Sequence, residues 1–337
     1  MNLAIVGATG LVGRTMLEVI KEQRINYDTL RLFASSASAG KQISIGEQTL
    51  TVEALTAQSF ENVDVALFSA GGAISKQYAP IAAAAGCIVI DNSSAWRMDA
   101  NVPLVVPEVN TADLASHSNI IANPNCSTIQ LVVALKPLHD AYTLQRVVVS
   151  TYQSVSGAGQ TGVDQLKHEV LGTEPPARIT SHTLAYNTVF HGIEAAPDDG
   201  GAFTEEERKM IRETQRIMHL PDLAVAATCV RVPVLGAHAE SVLAEFKQPL
   251  PPIEEIRALL AHARGIRVVD DLSNERYPTP QQSEGTDDVA VGRIRRDPSS
   301  ANGLLFWVVA DNLRKGAATN AVQILKALHT LSSTVHT

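Results

Sequence analysis

Cys126 stands in the run Asn119-Ile-Ile-Ala-Asn-Pro-Asn-Cys-Ser-Thr-Ile-Gln-Leu131. An apolar strand ends at Asn123-Pro124, and the spacing predicts an apolar helix from Cys126 or just after it. A thiol at that point sits among the unpaired N–H groups of a helix start, where the dipole favours negative charge. That setting lowers a cysteine pKa and keeps some thiolate at neutral pH. A cysteine near a strand end is by default a small core residue. The Asn-Pro-Asn turn before Cys126 argues for exposure instead. Cys87 and Cys229 each start an apolar strand, and for them the core reading is preferred.

A second chemical signal opens the chain. Gly7-Ala-Thr-Gly10-Leu-Val-Gly13 follows a strand and precedes a helix. Gly7 permits the tight turn, Gly10 lets the backbone approach a pyrophosphate, and Gly13 allows helix–strand packing. The helix start supplies N–H groups for the phosphates. A structural glycine turn in a nucleotide-free domain is the rival reading. The second strand runs into Ala34-Ser35-Ser36-Ala37-Ser38-Ala39-Gly40-Lys41, with no carboxylate to repel a 2′-phosphate. NADP is therefore expected over NAD.

A thiol working with a nicotinamide suggests addition to an aldehyde or an acyl phosphate, with a thioester linking the two oxidation levels. Such chemistry needs a proton-transfer group, an orienting amide and an anchor for substrate charge. Gln153, at the end of Ser150-Thr-Tyr-Gln, supplies an amide before a Gly-rich loop. Arg231 lies amid Val and Pro in Cys229-Val-Arg-Val-Pro-Val-Leu-Gly-Ala-His238, where burial is costly unless it meets an anion. A guanidinium suits a carboxylate. His238, seven residues on, is a candidate acid/base. Arg97, in Asn92-Ser-Ser-Ala-Trp-Arg, falls at the carboxyl end of a core strand, or pairs with an acid such as Asp99. The acidic run Glu205–Arg208 is by default a solvated helix start. The other histidines lack metal-ligand spacing, so none of them is expected to hold a metal. His117 and His139 read as surface or capping groups.

Elements must position these groups. The 337 residues exceed one ordinary core and imply two domains, or one large α/β unit with an insertion. Apolar residues at 45% and charged residues at 18% indicate a folded chain. A net charge of −8 argues against broad binding to nucleic acid or anionic membranes. No signal peptide or membrane-length apolar run is read, and three widely spaced cysteines fit a reducing cytoplasm. Strands at Leu3–Val6, Leu30–Ala34, Val63–Ser69 and Cys87–Asp91, with helices between, predict a doubly wound parallel sheet. After the Cys126 helix, strands at Val147–Ser154, Cys229–Leu235, Ser241–Phe246 and Gly303–Val309 predict a different sheet, mixed or antiparallel. Helices are expected at Gly162–Leu171, Glu205–Met218 and Ile253–Ala263. The segment Ala317–Leu331 is expected to pack back on the first domain. Pro197–Ala202 and Pro278–Asp288 read as long loops.

Six segments together resemble aspartate-β-semialdehyde dehydrogenase over nearly the whole chain. They are G-A-T-G-x-V-G at Gly7, D-N-S-S-A-x-R-M at Asp91, N-P-N-C-S-T at Asn123, S-T-Y-Q-x-V-S-G-A-G at Ser150, C-V-R-V-P-V at Cys229 and W-V-V-A-D-N-L-R-K-G-A-A at Trp307. The resemblance implies an α/β fold: an N-terminal Rossmann-like domain (1–125 with 313–337), and an inserted α+β domain for catalysis and dimerisation (126–312). A C-terminal helix returns to the first domain. It implies Cys126 as the nucleophile that forms an acyl-enzyme, His238 as acid/base and Gln153 as positioning residue. Arg231 takes the substrate carboxylate and Glu206 its amino end. Arg97, Asn125 and Lys209 bind phosphate. Gly7, Thr9, Gly10, Leu11, Val12, Ser35, Ser36, Ser38, Ser156, Gly157 and Asn312 contact NADP. No metal is implied.

The implied reaction is reversible reduction of L-aspartyl-β-phosphate by NADPH, through a thioester, to aspartate-β-semialdehyde and phosphate. It serves lysine, threonine, methionine and diaminopimelate synthesis, in a cytoplasmic homodimer or tetramer. Ala37 stands where many relatives carry Arg, which weakens the preference for NADP. Phe190-His191 replaces a more usual proline-containing turn. Two rival readings remain: a reductase of N-acetyl-γ-glutamyl phosphate, whose cysteine motif usually reads G-C-Y-P-T, and a non-catalytic nucleotide-binding relative.

Overall fold

A computed structural model describes residues 1–192 and 203–334, without the side chains of 331–334. The expected loop Pro197–Ala202 lies outside the described residues. Contacts divide the chain into two compact units, Met1–Asn125 with Ala317–Thr337, and Cys126–Gly316.

The first unit begins with β1 (Asn2–Val6), α1 (Leu11–Glu22) and β2 (Thr29–Ala34). A hairpin, β3 (Gln42–Ile45) and β4 (Gln48–Ala54), follows. Then come β5 (Val65–Phe68), α2 (Gly72–Ala84), β6 (Ile88–Asp91) and β7 (Ile120–Ala122). The seven strands lie in the order β3-β4-β2-β1-β5-β6-β7, parallel except for the β3–β4 hairpin. The fully buried β1 residues Leu3 and Ile5 are the apolar run that a sheet covered on both faces requires. The chain leaves β1 where strand order reverses, between β2 and β5, so the Gly7 turn opens at the sheet's switch point. Residues 42–54 carried no assigned element. Their strands alternate polar and apolar residues around the two-residue turn Gly46-Glu47, and Gly46 has φ +62.

The second unit starts with α3 (Cys126–Tyr142), β8 (Leu144–Gln153) and α4 (Gly159–Val170). It continues through β9 (Val189–Phe190), α5 (Glu205–Ile217), β10 (Ala224–Arg231) and β11 (His238–Phe246). α6 (Ile253–His262), β12 (Ile266–Val268), α7 (Pro280–Ser283), β13 (Val289–Arg296) and β14 (Gly303–Ala310) complete it. The mixed sheet runs β12-β13-β14-β11-β8-β10-β9, and α3, α5 and α6 pack against it. Two expectations are corrected here. The strand predicted at Cys229–Leu235 is shifted: it ends at Arg231, because Pro233 cannot donate to a ladder. Cys229 therefore sits inside the strand rather than at its start. The loop Pro278–Asp288 contains α7, capped by the Thr279 hydroxyl, and the Pro278 carbonyl accepts from the Trp307 indole. Finally α8 (Thr319–Thr334) returns to the first unit, where Ala321, Ile324, Leu325 and Leu328 join the core cluster of Leu3, Ile5 and Met16.

Candidate active site

In the first unit the Gly7 turn is built as the sequence requires. Gly7 has φ +88, and a Cβ there would lie 2.3 Å from the Ser69 carbonyl oxygen. A Cβ on Gly13 would lie 2.3 Å from the Gly7 carbonyl oxygen. Gly10 is different: its nearest neighbour would be 3.5 Å away, so the backbone there is open to a ligand. Thr9, Leu11 and Val12 surround it, and the first turn of α1 carries no acid. Ser35 and Ser36 are exposed after β2, and Lys41 Nζ lies 3.4 Å from Ser38 Oγ. No carboxylate stands between Ala34 and Lys41, so these residues fit a nucleotide with a 2′-phosphate.

Arg97 and Asn125 also lie in this unit, and both are buried. Arg97 Nε donates to the Asn123 carbonyl at 2.9 Å, and Nη2 to the Asn92 carbonyl at 3.0 Å. Asn123 is itself held by Asn92 and Asn320. The strand ends that carry these asparagines thus fix the guanidinium.

The second unit gathers the remaining candidates. Cys126 is the first residue of α3 and is partly exposed. Gly316 is close-packed against it: a Cβ there would meet Cys126 Cβ at 2.8 Å. Arg231, 8% exposed, ends β10. Its Nη1 donates to the Ser154 carbonyl at 2.6 Å, and its Nη2 faces His191 Nδ1 at 3.3 Å. Burial pushes its pKa down, while Glu206 and the charge of Cys126 push it up. Cys126 and Glu206 are therefore the anionic groups this guanidinium senses.

His238 is fully buried at the start of β11. The backbone N–H of Ser154 donates to its Nδ1 at 3.0 Å, which assigns the neutral ring's proton to Nε2. Burial, reinforced by Arg231, lowers its pKa to about 3. Gly157 lies beside the Nε2 and Cε1 atoms of the ring: a Cβ there would come within 3.0 Å of Nε2 and 3.3 Å of Arg231 Nη1. Ser156 and Asn312, expected to contact cofactor, hydrogen-bond each other at 3.1–3.2 Å. Ser154 Oγ joins Asn312 to His238 Nδ1, each at 3.1 Å.

Gln153 Nε2 donates to Glu206 Oε1 and to Ser127 Oγ, both at 3.0 Å. Glu206 Oε2 lies 3.6 Å from Lys209 Nζ. The solvated-helix reading of residues 205–208 is corrected for two of the acids, since Glu206 and Glu207 are both buried. Glu207 completes a capping box with Thr204 and accepts from the Cys229 backbone N–H, which draws the start of α5 onto β10. Cys87 and Cys229 are core thiols, and burial pushes Cys87 up to about 12 and Cys229 higher still. His117 and His139 accept backbone N–H groups at turns.

Sequence reasoning missed His191, Ser127 and Ser154. His191 faces Arg231 in a cleft of about 720 Å³ that is also lined by Asn187 and Phe190. Burial lowers its pKa to about 4. The departure at Phe190-His191 marked the place but not the partner. Among the described residues no cluster could hold a metal ion, and no helix is long and apolar enough to cross a membrane.

A nucleotide-type α/β unit, followed by a mixed-sheet unit that opens on a thiol facing Arg, is the organisation of the semialdehyde dehydrogenases. The family model of the semialdehyde dehydrogenase NAD binding domain matches residues 2–117, and that of the dimerisation domain matches residues 135–315. Aspartate-semialdehyde dehydrogenase of Bacillus subtilis (strain 168) is 49% identical, with 98% of each chain covered. The Aquifex aeolicus (strain VF5) enzyme of that name is 52% identical, with 97% of each covered. A crystal structure of aspartate semialdehyde dehydrogenase II from Vibrio cholerae superposes with a TM-score of 0.92 at 45% identity, covering 98% of both chains. The chain belongs to the aspartate-semialdehyde dehydrogenase family.

Proposed function

We propose that this protein catalyses the reversible, NADP-dependent reduction of L-aspartyl-β-phosphate to L-aspartate-β-semialdehyde and phosphate. The observation that carries this reading is the buried Arg231, which senses Cys126 and Glu206 and has Gly157 and His238 beside it. A guanidinium held by one carbonyl keeps donors for a carboxylate. Glu206 supplies the negative partner that a free α-amino group needs. An N-acetylated substrate would not need it, which disfavours the acetylglutamyl-phosphate alternative. The assembled Cys126, Gln153, Arg231 and His238 disfavour a non-catalytic relative.

Cys126 Sγ attacks the acyl carbon, the bond to phosphate oxygen breaks, and inorganic phosphate leaves behind a thioester. The N–H groups at the start of α3 and the charge of Arg231 support the thiolate. His238 is neutral and donates a hydrogen bond from its Nε2–H to the oxygen on which charge develops. Gln153, locked by Ser127 and Glu206, orients the substrate. The Gly7–Gly13 turn with Ser35, Ser36 and Ser38 would hold NADP, which in its reduced form would supply the hydride for reduction of the thioester to the aldehyde, with Cys126 Sγ leaving as thiolate. Ser156, Gly157 and Asn312 are proposed as further cofactor contacts. Arg97, Asn125 and Lys209 are proposed for phosphate on the family resemblance.

Residues 1–125 with 313–337 are assigned to the cofactor and 126–312 to catalysis and dimerisation. A homodimer, or a tetramer, in the cytoplasm is the proposed form. The exposed Tyr152, ring-paired with the half-buried Trp307 on the second sheet, supports a self-association surface. Rates with aspartate semialdehyde and N-acetylglutamate semialdehyde, each with NADP or NAD and phosphate, test the reading. Aspartate semialdehyde with NADP is expected to be fastest. A faster acetylated substrate refutes the assignment. Cys126→Ala is expected to abolish turnover while NADP binding persists, and retained turnover would remove the thiol from the mechanism.

A further inference from the structure

His191 follows the short strand β9, in which Val189 stands opposite Arg231 of β10 in an antiparallel ladder. A residue two positions beyond Val189 returns to the face that Arg231 occupies, within reach of a long side chain. The contact is made there: Arg231 Nη2 donates to His191 Nδ1 at 3.3 Å. A guanidinium carries donors only, so Nδ1 is the acceptor and the ring is neutral, with its proton on Nε2. Burial and the adjacent Arg231 charge favour that neutral form. His191 Nε2 is itself buried and has no partner among the described residues. The ring's one polar contact among those residues is therefore with the guanidinium, and no second bond ties it to the scaffold.

The other terminal nitrogen of Arg231, Nη1, donates to the Ser154 carbonyl at 2.6 Å. One such bond leaves a guanidinium able to swing about it. A second bond at the opposite nitrogen stops the swing and sets the plane. Each terminal nitrogen carries two N–H groups, so each keeps one for a carboxylate. A fork fixed in advance gives up less freedom when its anion binds. His191 and Arg231 line the same cleft of about 720 Å³, which gives a small anion access to that fork.

We propose that His191 is a positioning residue for substrate binding: its Nδ1 holds Arg231 Nη2 while the Ser154 carbonyl holds Nη1, so the fork is set before a carboxylate-bearing substrate arrives. This role rests on the assignment of Arg231 to the substrate carboxylate made above.

Steady-state kinetics of two variants test it, with aspartate semialdehyde and with 3-aminopropanal, which has no carboxylate. His191→Phe keeps a ring but has no acceptor. It is expected to raise KM for aspartate semialdehyde about 10-fold, with kcat within about twofold of wild type. His191→Asn can place its Oδ1 where Nδ1 lies, and its KM is expected to stay within about threefold of wild type. On 3-aminopropanal both variants should match the wild-type kcat/KM within about twofold. An unchanged KM in His191→Phe overturns the proposal. So does a loss in His191→Asn as large as in His191→Phe, or an equal loss on the two substrates. If His191→Phe does not fold, His191→Leu takes its place with the same expected and overturning results. Turnover by Cys126→Ala, or a wild type that prefers the acetylated aldehyde, would instead sink the parent reading, so the two failures are distinct.

Discussion

Replacing Arg231 tests the central electrostatic argument. In the structure its guanidinium is buried, donates to the Ser154 carbonyl at 2.6 Å, and senses Glu206 and Cys126. Arg231→Leu removes the proposed partner of the substrate carboxylate and leaves the Ser154 carbonyl without its donor. Truncating one member of a buried, hydrogen-bonded charge pair costs about 2–5 kcal/mol, or about 30- to 5000-fold in kcat/KM. Arg231→Lys keeps the charge but loses the fork. Hydrogen bonds to charged groups are worth about 1.5–3 kcal/mol, so about 10- to 150-fold is expected. Steady-state kinetics with aspartate semialdehyde, NADP and phosphate read both losses. A control separates carboxylate binding from support of the thiolate: 3-aminopropanal lacks the carboxylate, so Arg231→Leu should lose clearly less on it than on aspartate semialdehyde, the residual loss reporting the charge that Cys126 senses. An Arg231→Leu enzyme within about threefold of wild type on aspartate semialdehyde would refute the argument. An equal loss on both substrates would transfer Arg231 to support of the thiol.

Folding stability should fall on mild acidification. His238 and His191 have folded-state pKa values of about 3 and about 4, below the unfolded value of 6.5. Between those values the unfolded chain binds more protons, so stability rises with pH and is lost as pH falls from 6.5 toward 3. Each histidine contributes at most about 1.4 kcal/mol per pH unit in its window. Denaturant titrations at several pH values should show a slope that weakens in His191→Gln, and an unchanged slope would contradict the burial argument. The glycines should separate by role. Gly7→Ala combines φ +88 with a 2.3 Å clash and should lower the melting temperature by more than about 4 °C. Gly10→Ala should melt within about 2 °C of wild type yet bind NADP more weakly, because its Cβ would meet nothing nearer than the Gly7 carbonyl oxygen at 3.5 Å while crowding the proposed cofactor turn. Equal melting losses in the two would remove the distinction.

The helix start at Cys126 was legible because Asn-Pro-Asn punctuates the chain just before an apolar helix. The Gly7 turn was legible because its demands are local: a positive φ, a close carbonyl and a helix start all fall within seven residues. The β3–β4 hairpin was not read, since its polar face blurs the alternation, and strand β10 was placed too late because Pro233 was read as part of it.

Residue types and spacing thus determined the thiol at the helix start, the nucleotide turn and the presence of an Arg and a His on later strands. Only the tertiary structure decided their partners. Burial of Glu206 depends on the α5 capping box docking onto Cys229. The meeting of His191 with Arg231 depends on β9 pairing with β10. The burial of His238 depends on β11 lying between β14 and β8 in the second sheet. Burial, and with it the charge state of each group, is set by neighbours tens of residues away, which no local pattern encodes.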